Sequence, residues 1–163
     1  MRPNQIFAGM TPENTEAFFG RLAKESPATF TQAVHAAAAA LNSRPQFLMK
    51  LPFAKRAANV RRALSRVASA PVAEEMLAIY FLEIRLELLA EWLDMLGLEH
   101  EEGILKAGSP PCPADAELTK HVEAFRGVDD DPDRDLLLLA FAAQSSIDWP
   151  ALDVLNGEQP KAG

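Results

Sequence analysis

The chain has 163 residues, of which 48% are hydrophobic and 24% are charged, and its formal net charge is −7. This composition is typical of a globular protein and excludes an intrinsically disordered chain. The single cysteine, Cys112, excludes an internal disulfide, and the longest apolar run is too short to span a membrane, so we expect a cytoplasmic protein without a membrane partner.

The first half of the chain predicts a series of helices after a flexible N-terminus over residues 1–10. Thr11 is a favourable N-cap and Pro12 suits the first helical position, so a helix is predicted to start here. The Ser26-Pro27 pair ends this helix and starts the next one. A short connector of about one helical turn, "QFLMKL", then leads into the most basic part of the sequence.

The helix predicted over residues 52–68 places apolar side chains on one face and basic side chains on the other. It belongs to a segment, residues 26–73, that contains seven basic residues and no Asp or Glu. Such an asymmetry indicates an anionic partner or pairing with an acidic part of the same chain. The candidate binding residues are Lys55, Arg56, Arg62 and Arg66.

The dominant predicted element is one long central helix over about residues 71–96, apolar around most of its circumference. Its carboxylates recur at steps of four, four and three residues, so they share one face of the helix. Together with a histidine just beyond the helix they form a candidate acidic cluster. Its members are Glu83, Glu87, Glu91, Asp94 and His100. Gly97 followed by Leu98 predicts a Schellman motif at the helix end.

The last third of the chain predicts a short helix or turn after Leu98, a loop around Cys112, and helices ending near Gly127, Ser146 and Gly157. Asp131 is the predicted N-cap of the second of these helices. No segment shows the alternating pattern of a strand. The predicted fold is therefore an all-α, single-domain bundle of about six or seven helices around the central helix. Residues 11–157 would form this domain, followed by a flexible tail over residues 158–163.

The stretch "GLEHEEG", residues 97–103, is the strongest candidate for a metal or acid–base site, because it sets a histidine among three glutamates. The chain lacks the Glu-x-x-His and His-Glu-x-x-His spacings that bring ligands together on helices. We therefore interpret the stretch as a helix end, and we predict no metal, no cofactor and no catalytic residue. Whether His100 or Cys112 has a chemical role stays open at this point.

Three functions are compatible with these features. The leading hypothesis is a non-enzymatic, cytoplasmic protein-interaction or regulatory helical module, with a protein partner or self-association. The first alternative is nucleic-acid binding through the basic helix 52–68, which the acidic balance of the chain disfavours. The second alternative is a metal-dependent enzyme that uses the acidic stripe of the central helix. The sequence does not decide whether the protein is an enzyme, and it favours a non-enzymatic role.

Overall fold

The computed structural model describes residues 1–157, and it confirms the predicted all-α fold class. Within these residues there are ten α-helices, where six or seven were predicted. The helices are α1 (Pro3–Ala8), α2 (Pro12–Glu25), α3 (Pro27–Ala40), α4 (Pro45–Met49), α5 (Phe53–Leu64), α6 (Ala70–Ile79), α7 (Leu86–Met95), α8 (Asp115–Arg126), α9 (Asp133–Ala143) and α10 (Pro150–Leu155). None of them combines the length and the apolar character that a transmembrane span requires.

Most helix starts follow the signals that the sequence carries. Proline occupies the first turn of α2, α3, α4 and α10, where a missing N–H costs no helical hydrogen bond. The Thr11 hydroxyl accepts a hydrogen bond from the Asn14 amide at 3.1 Å, as its predicted role as N-cap requires. Helix α9 begins one residue later than predicted, so Pro132 and not Asp131 is its N-cap, but the Asp131 carboxylate still accepts a hydrogen bond from the amide of the first helical residue, Asp133, at 3.0 Å.

Residues 1–10, which the sequence analysis assigned to a flexible N-terminus, contain helix α1. Its residues Ile6 and Phe7 are buried, and the Phe7 ring lies 5.6 Å from Phe18 and 6.1 Å from Phe19 between centroids. Burial of this apolar pair supplies the free energy that orders a six-residue helix. The predicted flexible tail, residues 158–163, lies outside the described residues.

The structure divides the chain into two compact units. The basic unit comprises Asn4–Met76, and the acidic unit comprises Met1–Pro3 together with the chain from Leu77 onward. The first holds nine basic and five acidic residues, for a net charge of +4; the second holds seven basic and eighteen acidic residues, for −11. The charge asymmetry of the sequence therefore follows the division of the fold.

In the basic unit, α2, α3 and α5 pack against one another, and α4 packs on α3 and α5. Phenylalanines fill the centre, with the ring centroids of Phe19 and Phe30 6.1 Å apart. In the acidic unit, α7 packs on α9, and α8, α9 and α10 pack together. There the Trp92 ring lies 5.3 Å from Phe125 and 6.0 Å from Phe141. Each unit thus has an aromatic core of its own.

The prediction of one continuous helix over residues 71–96 is wrong. A π-helical turn, Tyr80–Ile84, follows α6, and Arg85 then leaves helical geometry with φ −116° and ψ 41°. The Arg85 amide donates to the Tyr80 carbonyl, five residues earlier, at 2.9 Å. In an α-helix two residues five apart point in directions about 140° apart. The wide turn instead lets the side chains of Tyr80 and Arg85 reach the same carboxylate, that of Asp133.

The end of α7 confirms the predicted Schellman motif. Gly97 has φ +71°. The Leu98 amide donates a hydrogen bond to the Leu93 carbonyl at 3.0 Å, and the Gly97 amide donates one to the backbone carbonyl of Asp94 at 3.0 Å.

The segment after this motif is a β-hairpin, where a short helix or turn was predicted. Strand β1 (His100–Glu101) pairs antiparallel with β2 (Ile104–Leu105). Glu102 and Gly103 form the two-residue turn, and both have positive φ, as the favoured hairpin turns require. We call α6, the π-helical turn and α7 the central segment, residues 70–95. A side chain on Gly103 would meet three leucines of this segment, the nearest at 2.8 Å. Because Gly103 has no side chain, the turn can pack closely against the π-helical turn and α7.

Candidate functional site

The four candidate binding residues of the basic helix have three different environments. Lys55 and Arg62 are exposed on α5, and Arg62 makes one long hydrogen bond of 3.5 Å to the Asn59 side chain. Arg56 is half-buried, with its guanidinium 5.7 Å from the Phe30 ring centroid and 5.6 Å from that of Phe53. Its Nε is buried without a hydrogen-bond partner. Arg56 therefore acts as a cation–π contact over the core.

The fourth candidate, Arg66, and the neighbouring Arg61 bind the carbonyls of other helix termini. Arg66 donates to the Ala40 carbonyl at the end of α3. Arg61 donates to the carbonyls of Phe7 and Ala8, at the end of α1, at 3.3 Å and 3.5 Å. The last carbonyls of a helix have no partner within the helix and carry partial negative charge, so a cation there is stabilising. These contacts satisfy the carbonyls without cancelling the positive charge.

No carboxylate pairs with these cations inside the basic unit. None of the seven basic side chains of the acid-free segment forms a salt bridge within the described part of that unit. They are Arg44, Lys50, Lys55, Arg56, Arg61, Arg62 and Arg66. Pairing of the basic face of α5 with the acidic stripe of the central helix, Glu83, Glu87, Glu91 and Asp94, stays a prediction.

A second surface of the basic unit was not recognised from the sequence. Helix α4 buries Leu48 but exposes 60% of Phe47 and 39% of Met49. Beside Met49 lies an open groove of about 310 Å³, lined by His35 of α3 and by residues at α4 that include Met49 and the neighbouring Lys50. We call His35, Arg44, Phe47, Met49 and Lys50 the α4 surface. The connector pattern "QFLMKL" gave no sign of which apolar side chains would face solvent.

In the acidic unit, the predicted acidic cluster is largely engaged by cations. Arg85 has only 7% of its side chain exposed and contacts Glu87 at 2.8 Å, Asp131 at 2.7 Å and Asp133 at 2.5 Å. The Tyr80 hydroxyl donates to the same Asp133 oxygen at 2.6 Å. One buried cation therefore joins the central segment to the first residue of α9 and to the loop before it.

Arg134 forms a second centre of the same kind. It contacts Glu91 at 3.0 Å and Asp129 at 2.8 Å, and it donates to the Phe125 carbonyl at 3.2 Å. Its guanidinium also lies 4.8 Å from the Phe125 ring centroid. Because the guanidinium is almost fully buried, these partners supply the compensation that a buried charge requires.

The electrostatics keep this network ionised. Burial opposes the charge of Arg85, yet hydrogen bonds to Asp131 and Glu87 and the nearby Asp133 raise its pKa above the ordinary value. Burial likewise opposes ionisation of Asp131, but the hydrogen bond from Arg85 leaves the pKa of Asp131 lowered. The hydrogen bond from Arg134 lowers the pKa of Asp129. Groups ionised this firmly are poor proton carriers near neutral pH, so the network fits a structural role.

The remaining members of the cluster are Asp94, His100 and Glu83. His100 points back toward the central helix, with Nε2 2.8 Å from Asp94 Oδ1, and its Nδ1 accepts a hydrogen bond from the Gly103 amide at 3.1 Å. This network assigns the proton to Nε2. Both ring nitrogens are thus occupied by the hairpin and α7. Glu83 forms no ion pair within residues 1–157 and borders a cleft of about 660 Å³ beside the hairpin.

Neither a metal site nor an activated thiol emerges from the described residues. No three His, Cys, Asp or Glu side chains in residues 1–157 are grouped for a metal ion. Cys112 is exposed, and desolvation together with the negative charges of Asp115 and Asp148 raises the pKa of its thiol. A raised pKa leaves less of the reactive thiolate at neutral pH.

Sequence reasoning missed Arg85 and Arg134, the two buried arginines that organise the acidic unit. A signal was present for each: Arg85 interrupts the apolar central segment, and Arg134 lies within a run of aspartates.

Comparisons with protein-family models, curated proteins and solved structures found no match to this chain. The proposed function therefore rests on the geometry and charge of the basic unit and the acidic unit.

Proposed function

We propose that the protein is a non-enzymatic interaction module whose basic unit binds an acidic surface of a partner protein. The observation that carries this proposal is the set of seven cations in residues 26–73 that lack a carboxylate partner within their unit. Unpaired like charges on one unit repel one another, and an acidic partner relieves that repulsion. Complementary charge would also speed the encounter and select the partner.

Protein is favoured over nucleic acid because few of the cations are available to phosphates. Arg61 and Arg66 bind helix carbonyls and Arg56 covers phenylalanine rings, so these three are committed to the fold. Exposed Phe47 and Met49, by contrast, are of the residue types enriched in protein interfaces.

An enzymatic role receives less support from the acidic stripe. Three of its members, Glu87, Glu91 and Asp94, are bonded to Arg85, Arg134 and His100. These contacts account for the carboxylates as parts of the fold. The metal-dependent alternative would need them to exchange an internal cation for a metal ion.

Fluorescence anisotropy with labelled synthetic peptides tests the proposal. The probes are an acidic peptide of Glu, Leu and Ala with helical periodicity, its Lys counterpart, and a DNA duplex, each titrated at 50 and 300 mM NaCl. We expect the acidic peptide to bind, with weaker binding at the higher salt concentration because surface charges are screened. Stronger binding of the Lys peptide or of the duplex would contradict the proposal.

Charge reversal locates the binding to one unit. Replacing Arg44 and Lys50 by Glu should lower the affinity of the protein for the acidic peptide at least tenfold. Replacing Lys106 and Lys120, exposed lysines of the acidic unit, by Glu is the matched control and should leave affinity within twofold. Equal losses in both double variants would show that only net charge matters. Sedimentation equilibrium of the same proteins reports whether the acidic partner is a second copy.

A further inference from the structure

We propose that the α4 surface is the docking site for an acidic, amphipathic helix of a partner protein. This inference rests on the proposed function and specifies the occupant and its place. It starts from two large apolar side chains, Phe47 and Met49, that a five-residue helix presents to solvent while its Leu48 is buried. Exposed apolar side chains are common singly, but here two belong to one short helix, and one of them, Met49, lines an open groove.

The wall of the groove suits a helix more than an extended chain. His35 lies on α3, and the exposed Ala39, four residues later, extends the same face of that helix by one turn. Small side chains let the axis of a second helix come close. Helix α3 has 14 residues, about 21 Å at 1.5 Å per residue, so a partner helix of three to four turns can lie along it.

The positive charges around the groove favour a negatively charged partner helix. Arg44 immediately precedes α4 and Lys50 immediately follows it, so cations border the apolar patch at both ends. Both side chains are exposed and neither forms a salt bridge within the basic unit. The complementary helix therefore carries Leu, Met or Phe along one stripe, with Glu or Asp on the flanks. This is the helix-in-groove mode of recognition.

The groove is too open and too small for the other common ligands. Its volume of about 310 Å³ lies at the lower limit for small-molecule sites, which enclose most of the ligand surface. It accommodates one or two apolar side chains of a docked helix. A membrane surface would also attract exposed Phe and Lys, and a vesicle assay separates that case.

The test compares apolar substitutions at matched exposure in the two units. Phe47→Ser combined with Met49→Ser removes the apolar patch, and Ile104→Ser combined with Val154→Ser removes residues of the acidic unit that are 65% and 62% exposed. With the acidic amphipathic peptide as probe, we expect at least tenfold weaker binding for the first pair and less than twofold change for the second. A peptide of the same composition with scrambled periodicity should bind at least tenfold more weakly to the wild-type protein.

NMR shift mapping on the wild-type protein supplies a second measurement that does not depend on folded variants. Peptide-induced shifts centred on α3 and α4 would support the inference, and shifts centred elsewhere would overturn it. Salt-sensitive peptide binding that both double variants retain would overturn this inference but leave the proposed function standing. Absence of any peptide binding would refute both. Flotation of the protein with phosphatidylcholine–phosphatidylserine vesicles would assign the surface to lipid and overturn the inference. A dimer that Phe47→Ser combined with Met49→Ser dissociates would assign the surface to a second copy and also overturn it.

Discussion

The basic and acidic units treat the same side chain, arginine, in opposite ways. In the acidic unit Arg85, Arg126 and Arg134 each contact carboxylates, and two of them are almost fully buried. In the basic unit Arg61 and Arg66 contact backbone carbonyls, and Arg56 lies over aromatic rings. Carboxylates neutralise a guanidinium, whereas carbonyls and rings hold it without neutralising it.

Local composition decides what an arginine does in each unit. The acidic unit has a surplus of carboxylates, so its buried cations find ionised partners and become structural centres. The basic unit offers no Asp or Glu between residues 26 and 73, so its cations satisfy the ends of helices and keep their charge. The first arrangement stabilises a fold, and the second leaves a surface that an acidic partner can complement.

The largest expected effect is the loss of Arg85. Replacing it by Ala would leave Asp131 and Asp133 close together without their cation, so we expect the free energy of unfolding to fall by about 3–5 kcal/mol. Urea denaturation followed by circular dichroism measures the change. Arg62→Ala in the basic unit is the matched control, with an expected change of about 0.5 kcal/mol or less. Similar losses in the two variants would remove the distinction between the units.

The second effect concerns the hairpin that brings His100 to Asp94. Gly103→Ala should destabilise the protein by about 2 kcal/mol, because the new Cβ meets leucine side chains and the residue keeps a positive φ. Gly97→Ala shares the positive φ but has free space around it, so its cost should be about 1 kcal/mol. Thermal denaturation of the two variants isolates the steric part. An equal loss of stability would show that the leucines move aside freely.

The third effect is the pH dependence of the acidic unit. The pKa of folded Asp131 is lowered, so its contribution to stability is present above the ordinary carboxyl pKa of about 4 and is lost as the pH falls through the folded value. Asp131→Asn should cost about 1 kcal/mol at pH 7, and its deficit should shrink toward pH 3. Urea midpoints from pH 7 to pH 3 measure this convergence. A deficit independent of pH would mean that the carboxylate charge does not stabilise the fold.

The smallest effect separates the cations within the basic unit. Arg66→Ala removes a cation from the end of α3 and should cost about 0.5 kcal/mol. Lys55→Ala removes an exposed side chain and should change stability by less than about 0.3 kcal/mol. Guanidinium denaturation of both variants at low salt measures the difference. A larger loss for Lys55 would reveal a structural role that its position on α5 does not explain.

The helix ends were predictable because their causes are local. Proline in the first turn, Thr11 as N-cap and the glycine of the Schellman motif each act through the nearest few residues. Sequence reasoning therefore predicted the fold class and the ends of several helices.

The remaining features depend on partners distant in the sequence. At the π-helical turn Tyr80–Ile84, the side chains of Tyr80 and Arg85 both contact Asp133, which lies 53 and 48 residues further along the chain. The hairpin depends on the fit of Gly103 against leucines of the central segment. Likewise, the exposure of Phe47 depends on which face of α4 packs against α3 and α5. A pattern of neighbours along the chain does not contain this information.

The most direct test of the account is an NMR titration of the whole protein with the acidic amphipathic peptide, with backbone amide shifts assigned in both units. We predict shifts in the basic unit at Arg44, Phe47, Met49 and Lys50, weakened by added salt, and little change at Arg85 or Arg134. Shifts concentrated in the acidic unit, or none at any peptide concentration, would contradict the claim that the unpaired cations of the basic unit form the binding surface.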